Sequence, residues 1–187
     1  MDEMRRELLE LIRKLSYRRR KVVLSSGRES DFYVDGKNTT LHPRGAYLGG
    51  RLLWKAIRDS GAVVEAVGGP TMGADPMVTA IAIASLEDKS PVPAFIIRKE
   101  AKKHGTGQWI EGGENLRPGM KVAIVEDVVT TGASTLRAVE RAEQEGLVVS
   151  LVLVLVDREE GGRENIEEKG YRLVSLFGRR EIAGEDQ

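Results

Sequence analysis

Apolar residues recur at helical spacing near the amino terminus, at Leu8, Leu9, Ile12 and Leu15, and predict a first helix. Two short strands, residues 21–24 and 31–34, flank the polar break SSGRES. From about Arg44 the pattern becomes a repeated alternation. Helices are predicted over residues 47–57, 76–86 and 134–146, and apolar strands over residues 62–69, 92–99, 121–127 and 148–157. Helices alternating with near-continuous apolar strands predict an α/β fold, a central parallel sheet covered by helices on both faces. No linker, repeat or low-complexity stretch interrupts the 187 residues, so a single domain spanning 1–187 is expected.

Composition narrows the partners. Basic and acidic residues number 29 each, which gives no electrostatic reason to expect nucleic acid or an acidic membrane. Cysteine is absent, which excludes a disulfide framework, a thiolate metal site and a cysteine nucleophile. His42 and His104 are the two histidines and cannot by themselves form a conventional zinc site. Charges interrupt the first 15 residues, and the run LVLVLV is far too short to span a bilayer, so a cytoplasmic location is expected.

In open parallel sheets, ligands sit beyond the carboxyl ends of the strands. After the strand at 63–67 comes GGPTMGADP, whose glycines and following helix suit a phosphate, or else form a tight turn that needs glycine sterically. The stretch RKEAKKHGTGQWIEGGEN holds Arg98, Lys99, Lys102, Lys103 and His104 ahead of a glycine-rich run without helical or strand period. It reads as a cationic lid over a polyanion, or as a solvated loop.

The segment KVAIVEDVVTTGAST is the most informative. Glu126 and Asp127 follow Val125 where the strand is expected to leave the sheet, and two adjacent carboxylates can accept hydrogen bonds from the vicinal hydroxyls of a ribose. Thr130, Thr131, Gly132, Ala133 and Ser134 then offer amides and hydroxyls ahead of a helix, a cradle for one phosphate. Together these point to a ribose 5-phosphate. The alternative, acids paired with nearby lysines and Ser134 capping the helix, leaves the two carboxylates without a purpose. Arg158, after LVLVLVD, suits either bidentate binding of a carboxylate or a surface ion pair. Phe32 and Tyr33 can stack on a flat ring or belong to the core.

VAIVEDVVTTGAST resembles the signature of the type I phosphoribosyltransferases, and RKEAKKHGTG with LSSGRESDFYVD looks like the orotate phosphoribosyltransferases among them. The resemblance covers essentially the whole chain. It implies the type I phosphoribosyltransferase fold, with a core at about 44–157 and a small hood from residues 1–40 plus the carboxyl-terminal segment. It also implies transfer of ribose 5-phosphate from phosphoribosyl pyrophosphate (PRPP) to orotate, giving orotidine 5′-monophosphate and pyrophosphate in pyrimidine biosynthesis.

By position, the resemblance implies that Glu126 and Asp127 hold the ribose, with Val128 and Val129 leading to the 5′-phosphate cradle of Thr130 to Thr135. Thr71, Met72 and Gly73 would face pyrophosphate, with Arg98, Lys99, Lys102 and His104. Ser26, Tyr33, Thr130 and Arg158 would bind orotate, and Lys99, Lys102, His104 and Asp127 would carry the catalysis. Magnesium is implied as cofactor, held mainly by the substrate rather than by a direct protein ligand set. The partners implied are PRPP, orotate and a second subunit sharing the active sites. Two positions depart from many bacterial relatives, which have lysine where Ser25 and Met72 stand. A purine-type phosphoribosyltransferase and a non-catalytic nucleotide sensor on the same fold are the competing readings. Arg158 and SSGRES argue against the first, and the intact loop cations against the second.

Overall fold

The computed structural model describes residues 3–23, 29–101 and 108–184. The amphipathic start forms α1 (Glu3–Leu11), which continues through a π-helical turn, Ile12–Ser16. A hairpin of β1 (Tyr17–Val23) and β2 (Glu29–Val34) follows, with antiparallel pairing. The chain enters the main body through a short α2 (Lys37–Thr40) and the long α3 (Pro43–Asp59). There β3 (Ala66–Pro70), α4 (Asp75–Glu87), β4 (Ala94–Ile97), β5 (Ile110–Glu111), β6 (Lys121–Val129), α5 (Ala133–Gln144), β7 (Val148–Asp157), α6 (Gly162–Glu168), β8 (Leu173–Gly178) and α7 (Arg179–Ala183) complete the fold.

The main sheet runs β5-β4-β3-β6-β7-β8. β6 and β7 are interior strands, and Val122 to Val125 and Leu151 to Val154 are fully buried, as strands covered on both faces must be. The two-residue period sorts their side chains. Ala123, Val125, Leu151 and Leu153 join Leu8, Leu48, Leu53 and Ile81 of α1, α3 and α4 in one core. Val122, Ile124, Val152 and Val154 join Ala138, Val139 and Ile166 of α5 and α6 in the other.

The sheet corrects the expectation of purely parallel strands. Pairing is parallel from β4 through β8, but β5 pairs antiparallel with β4, Ile97 opposite Ile110. The glycine-rich run after Arg98 therefore does contain regular structure: β5 brings it back to the sheet edge, and a 3₁₀ turn follows at Gly113–Asn115. Two residues of strand leave no period to detect. The third strand begins at Ala66 rather than Ala62, with Val63 58% exposed, and β4 stops at Ile97, so Arg98 and Lys99 lie past its end.

α6, β8 and α7 extend the body beyond Asp157. α7 is tied to the first helix: Arg5 donates to Glu181 Oε1 at 2.5 Å and to the Leu176 carbonyl at 2.7 Å, and Arg13 donates to the Glu181 carbonyl at 2.6 Å. The first helical segment and the residues from Leu176 to Glu181 are thus joined, and within the hairpin Tyr17 packs on Phe32 with ring centroids 5.0 Å apart. Among the described residues, no helix is long and apolar enough to cross a membrane.

Candidate active site

Glu126 and Asp127 sit inside β6, not beyond its end, and are 6% and 8% exposed. The strand continues through Val129 because Val128 and Val129 still pair with β7, opposite Val156 and Asp157. The acids nevertheless face open space. A cavity of about 630 Å³ is lined by both carboxylates, by Thr71, Met72 and Gly73, by Arg98 and Lys99, and by Ser134. The β6, β3 and β4 ends converge on it, the geometry expected where parallel strands finish.

Two backbone segments press on Asp127. A Cβ on Gly73 would lie 2.4 Å from its Oδ1 and 3.0 Å from Glu126 Oε1. A Cβ on Gly36 would lie 2.9 Å from both the Cβ and the Oδ2 of Asp127. Both glycines are needed because a side chain would occupy the carboxylate's own space. The turn carrying Gly73 contains a cis peptide between Thr71 and Met72, and Thr71 Oγ1 donates to Asp75 Oδ2 at 2.8 Å in the first turn of α4.

Burial, reinforced by the charge of Asp127, pushes the Glu126 carboxyl up to about 8, while a hydrogen bond from Ser134 opposes the shift. Burial also pushes Asp127 up, opposed first by the positive charge of Lys37 and then by the Val128 amide, which donates to Oδ1 at 3.0 Å. The two neighbours are therefore unequal. Burial holds both carboxyls above their ordinary range, and Asp127 alone of the two has a positive charge, that of Lys37, opposing the shift.

Ser134 Oγ donates to Glu126 Oε2 at 3.3 Å and does not cap its helix. α5 opens instead on Gly132, at φ +78°, and no side chain caps its first amides. Thr130 and Thr131 form the turn before it, held by α6: Asn165 Nδ2 donates to the Thr131 carbonyl at 2.9 Å. The hydroxyl of Thr135 is buried without a hydrogen-bond partner among the described residues.

Arg158 is not a surface residue. It is 6% exposed, and its Nη2 donates to the Phe32 carbonyl at 2.7 Å and to Glu160 Oε1 at 3.0 Å. Arg179 approaches the same Glu160 oxygen at 3.6 Å and pairs with Asp31 at 2.9 Å. This cluster joins the β2 strand of the hairpin to the carboxyl end of β7. Phe32 is buried in the core, and both arginines lie over its ring, at 5.7 and 5.3 Å. Tyr33 is half-buried on β2. Among the described residues lining the cavity, Tyr33, Thr130, Thr131 and Arg158 are not included. Lys102, Lys103 and His104, with Ser25 and Ser26, lie outside the described residues.

Sequence reasoning missed several lining residues. Lys37 enters from the turn after β2, and Trp109, Arg137, Glu140 and Arg141 form the outer wall, with the Arg141 guanidinium 3.7 Å from the Trp109 ring centroid. Arg98 is paired with Glu111 of β5 at 2.7 Å. Lys37 was findable, since DGK directly follows a predicted strand. Arg137 and Arg141, one turn apart on α5, carry no signal that distinguishes them from a solvated helix face.

Residues 37–177 match the phosphoribosyl transferase domain. The orotate phosphoribosyltransferase of Nostoc sp. is 47% identical over 177 residues, covering 95% of this chain and 84% of that protein. The orotate phosphoribosyltransferase of Aquifex aeolicus is 50% identical over 154 residues, 82% of each chain. Among solved structures, Mycobacterium tuberculosis H37Rv orotate phosphoribosyltransferase in complex with PRPP superposes with a TM-score of 0.80 at 41% identity, covering 96% of this chain and 99% of that one.

Proposed function

The chain belongs to the phosphoribosyltransferase family, within it to the orotate phosphoribosyltransferases, and from that membership we propose how its residues perform the reaction. The enzyme transfers ribose 5-phosphate from PRPP to orotate, forming orotidine 5′-monophosphate and pyrophosphate, a step of pyrimidine biosynthesis. The observation that carries the residue roles is the buried carboxylate pair, which shares one cavity with the Thr71 to Gly73 turn and the cations Arg98 and Lys99.

In the reaction the bond from the anomeric carbon to pyrophosphate breaks, with its electron pair leaving on pyrophosphate. A ring nitrogen of orotate bonds the same carbon and gives up its proton. Positive charge develops on the sugar, and the Asp127 carboxylate beside the ribose stabilises it when ionised, while Glu126 hydrogen-bonds ribose hydroxyls. Arg98, Lys99 and the 71–73 turn meet the growing charge on the leaving group. Lys102 and His104 are read in the same role on the resemblance alone. The amides and hydroxyls of residues 130–135, at the uncapped start of α5, take the 5′-phosphate.

Arg158 takes the orotate carboxylate, supported by its burial at the end of β7 and its tether to the β2 backbone at Phe32, next to Tyr33 in sequence, and Ser26 is read as an orotate contact on the resemblance alone. Magnesium fits this site as a substrate-borne ion. The described residues hold no group of three or more potential ligands, and the available donors are the Glu126 and Asp127 carboxylates beside the ribose. When bound, it offsets the charge of the pyrophosphoryl group.

A homodimer belongs to the same reading and is supported by α4, whose sequence is apolar around its circumference. Met77, Val78 and Ile81 are buried, yet Ile83 and Leu86 are 57% and 66% exposed, and Met72 in the preceding turn is 64% exposed. A helix apolar all round is normally covered on both sides. A cytoplasmic location belongs to the same reading.

Incubation with PRPP, magnesium and a panel of bases, following pyrophosphate release, tests the assignment. Release with orotate alone is expected. Turnover confined to purines would overturn it.

A further inference from the structure

The cavity that Arg98 and Lys99 line holds a further cation, from a different part of the chain. Lys37 is the first residue of α2, and its position is fixed by Asp35, which accepts from the Lys37 ammonium at 2.7 Å and from the Lys37 backbone amide at 3.2 Å. The intervening Gly36 lies against Asp127 so closely that no side chain fits between them. Gly73 touches the other side of the same carboxylate. The segments at 35–37 and 71–73 therefore clasp Asp127, and Lys37 projects into the space that both border, with 41% of its side chain exposed.

Arg98 and Lys99 reach the same cavity from beyond the end of β4, and Arg137 and Arg141 from α5. Arg98 is paired with Glu111, and Arg141 is stacked on Trp109. The groups facing Asp127 are Glu126, Asp35 and Lys37. Those facing Lys37 are Asp35, Asp127 and Tyr33. Lys37 is thus the one positive charge set directly against Asp127 among these residues. A second acid, Asp35, holds it there.

We propose that Lys37 is a further substrate-binding residue, whose ammonium contacts the pyrophosphoryl group of PRPP beside Asp127, together with Arg98 and Lys99. Placed so, the leaving group lies between cations from the hairpin side and from the β4 side, with the 71–73 backbone beneath it. An ammonium suits this place because its three donors rotate freely and serve Asp35 and a phosphate oxygen together. A surface pair with Asp35 alone would need neither the cavity position nor the contact of Gly36 with Asp127.

This assignment rests on the reading of the cavity as the PRPP site. The test is calorimetric titration of PRPP with magnesium into the wild type, Lys37→Met and Lys37→Arg, together with the KM for each substrate. Lys37→Met is expected to weaken PRPP binding about tenfold or more, the scale of a lost charge-assisted contact, with the KM for orotate within about twofold of wild type. Lys37→Arg is expected to restore most of the affinity. PRPP binding by Lys37→Met within about twofold of wild type, at unchanged melting temperature, would overturn the role of Lys37 and leave the functional reading standing. A wild type that binds no PRPP would overturn both.

Discussion

Gly73 and Asp127 are in such close contact that a single added carbon on Gly73 would stand 2.4 Å from the Asp127 carboxylate oxygen. Asp127, read as the catalytic carboxylate, is therefore positioned by a neighbouring strand's turn as well as by its own strand. That turn is the segment read as facing pyrophosphate, so sugar and leaving-group contacts share one rigid junction.

Gly73→Ala tests this junction. Forcing a methyl group against a buried carboxylate should destabilise the protein by about 1–3 kcal/mol, the usual cost of overpacking. Because the displaced groups are the Asp127 carboxylate and the turn itself, PRPP affinity should fall while the KM for orotate changes little. Equal losses for both substrates would show that the clash spreads beyond the junction.

The raised titration of Glu126 makes stability depend on pH. In the unfolded chain this carboxyl ionises near 4.5, and in the folded protein near 8. Between these values the folded state binds the extra proton, so stability falls as pH rises through that window and levels off above it. Glu126→Gln should flatten this slope. It should also raise the melting temperature at pH 8, by roughly 2–4 °C for each kcal/mol of charge burial removed. A thermal melt series from pH 5 to 9 decides it, and an unchanged slope would mean that Glu126 ionises freely.

Ile83 and Leu86 test the second subunit. If α4 packs against another copy, Ile83→Lys and Leu86→Lys should convert dimer to monomer in sedimentation velocity, because an unpaired ammonium in an apolar interface is strongly disfavoured. On a free surface the same changes alter stability by no more than about 0.5 kcal/mol. A dimer that persists in both variants locates the interface elsewhere.

The order of helices and strands from Arg44 to Asp157 was legible because β6 and β7 are long and covered on both faces, which forces continuous apolar runs such as LVLVLV. Glu126 and Asp127 were legible for the opposite reason, as charges inside such a run. β5 was hidden because two residues carry no period, and α6 because only Gly162 and Ile166 of its seven residues are buried. The environment of Arg158 was illegible on other grounds. Its partners are the Phe32 carbonyl, 126 positions away, and Glu160, and local sequence does not reveal that the hairpin folds over the end of β7.

That environment shapes the last prediction. Truncating Arg158 removes the cation read as binding the orotate carboxylate, and should raise the KM for orotate by the equivalent of about 2–4 kcal/mol. It also leaves the part-buried Glu160 with only the more distant Arg179 beside it, and the buried Oε2 of Glu160 has no hydrogen-bond partner among the described residues. Breaking a buried pair from one side commonly costs about 3–5 kcal/mol, so Arg158→Ala alone would confuse a substrate effect with a folding effect. Arg158→Met combined with Glu160→Gln separates them. The double variant removes both charges, and Gln places its amide group where Oε2 has no partner, so its melting temperature should recover most of the loss seen in Arg158→Ala. Its KM for orotate should stay raised, while its KM for PRPP remains near that of the wild type. Recovery of orotate use together with stability would show that Arg158 serves only to hold the hairpin against β7, and that another residue reads the carboxylate of the base.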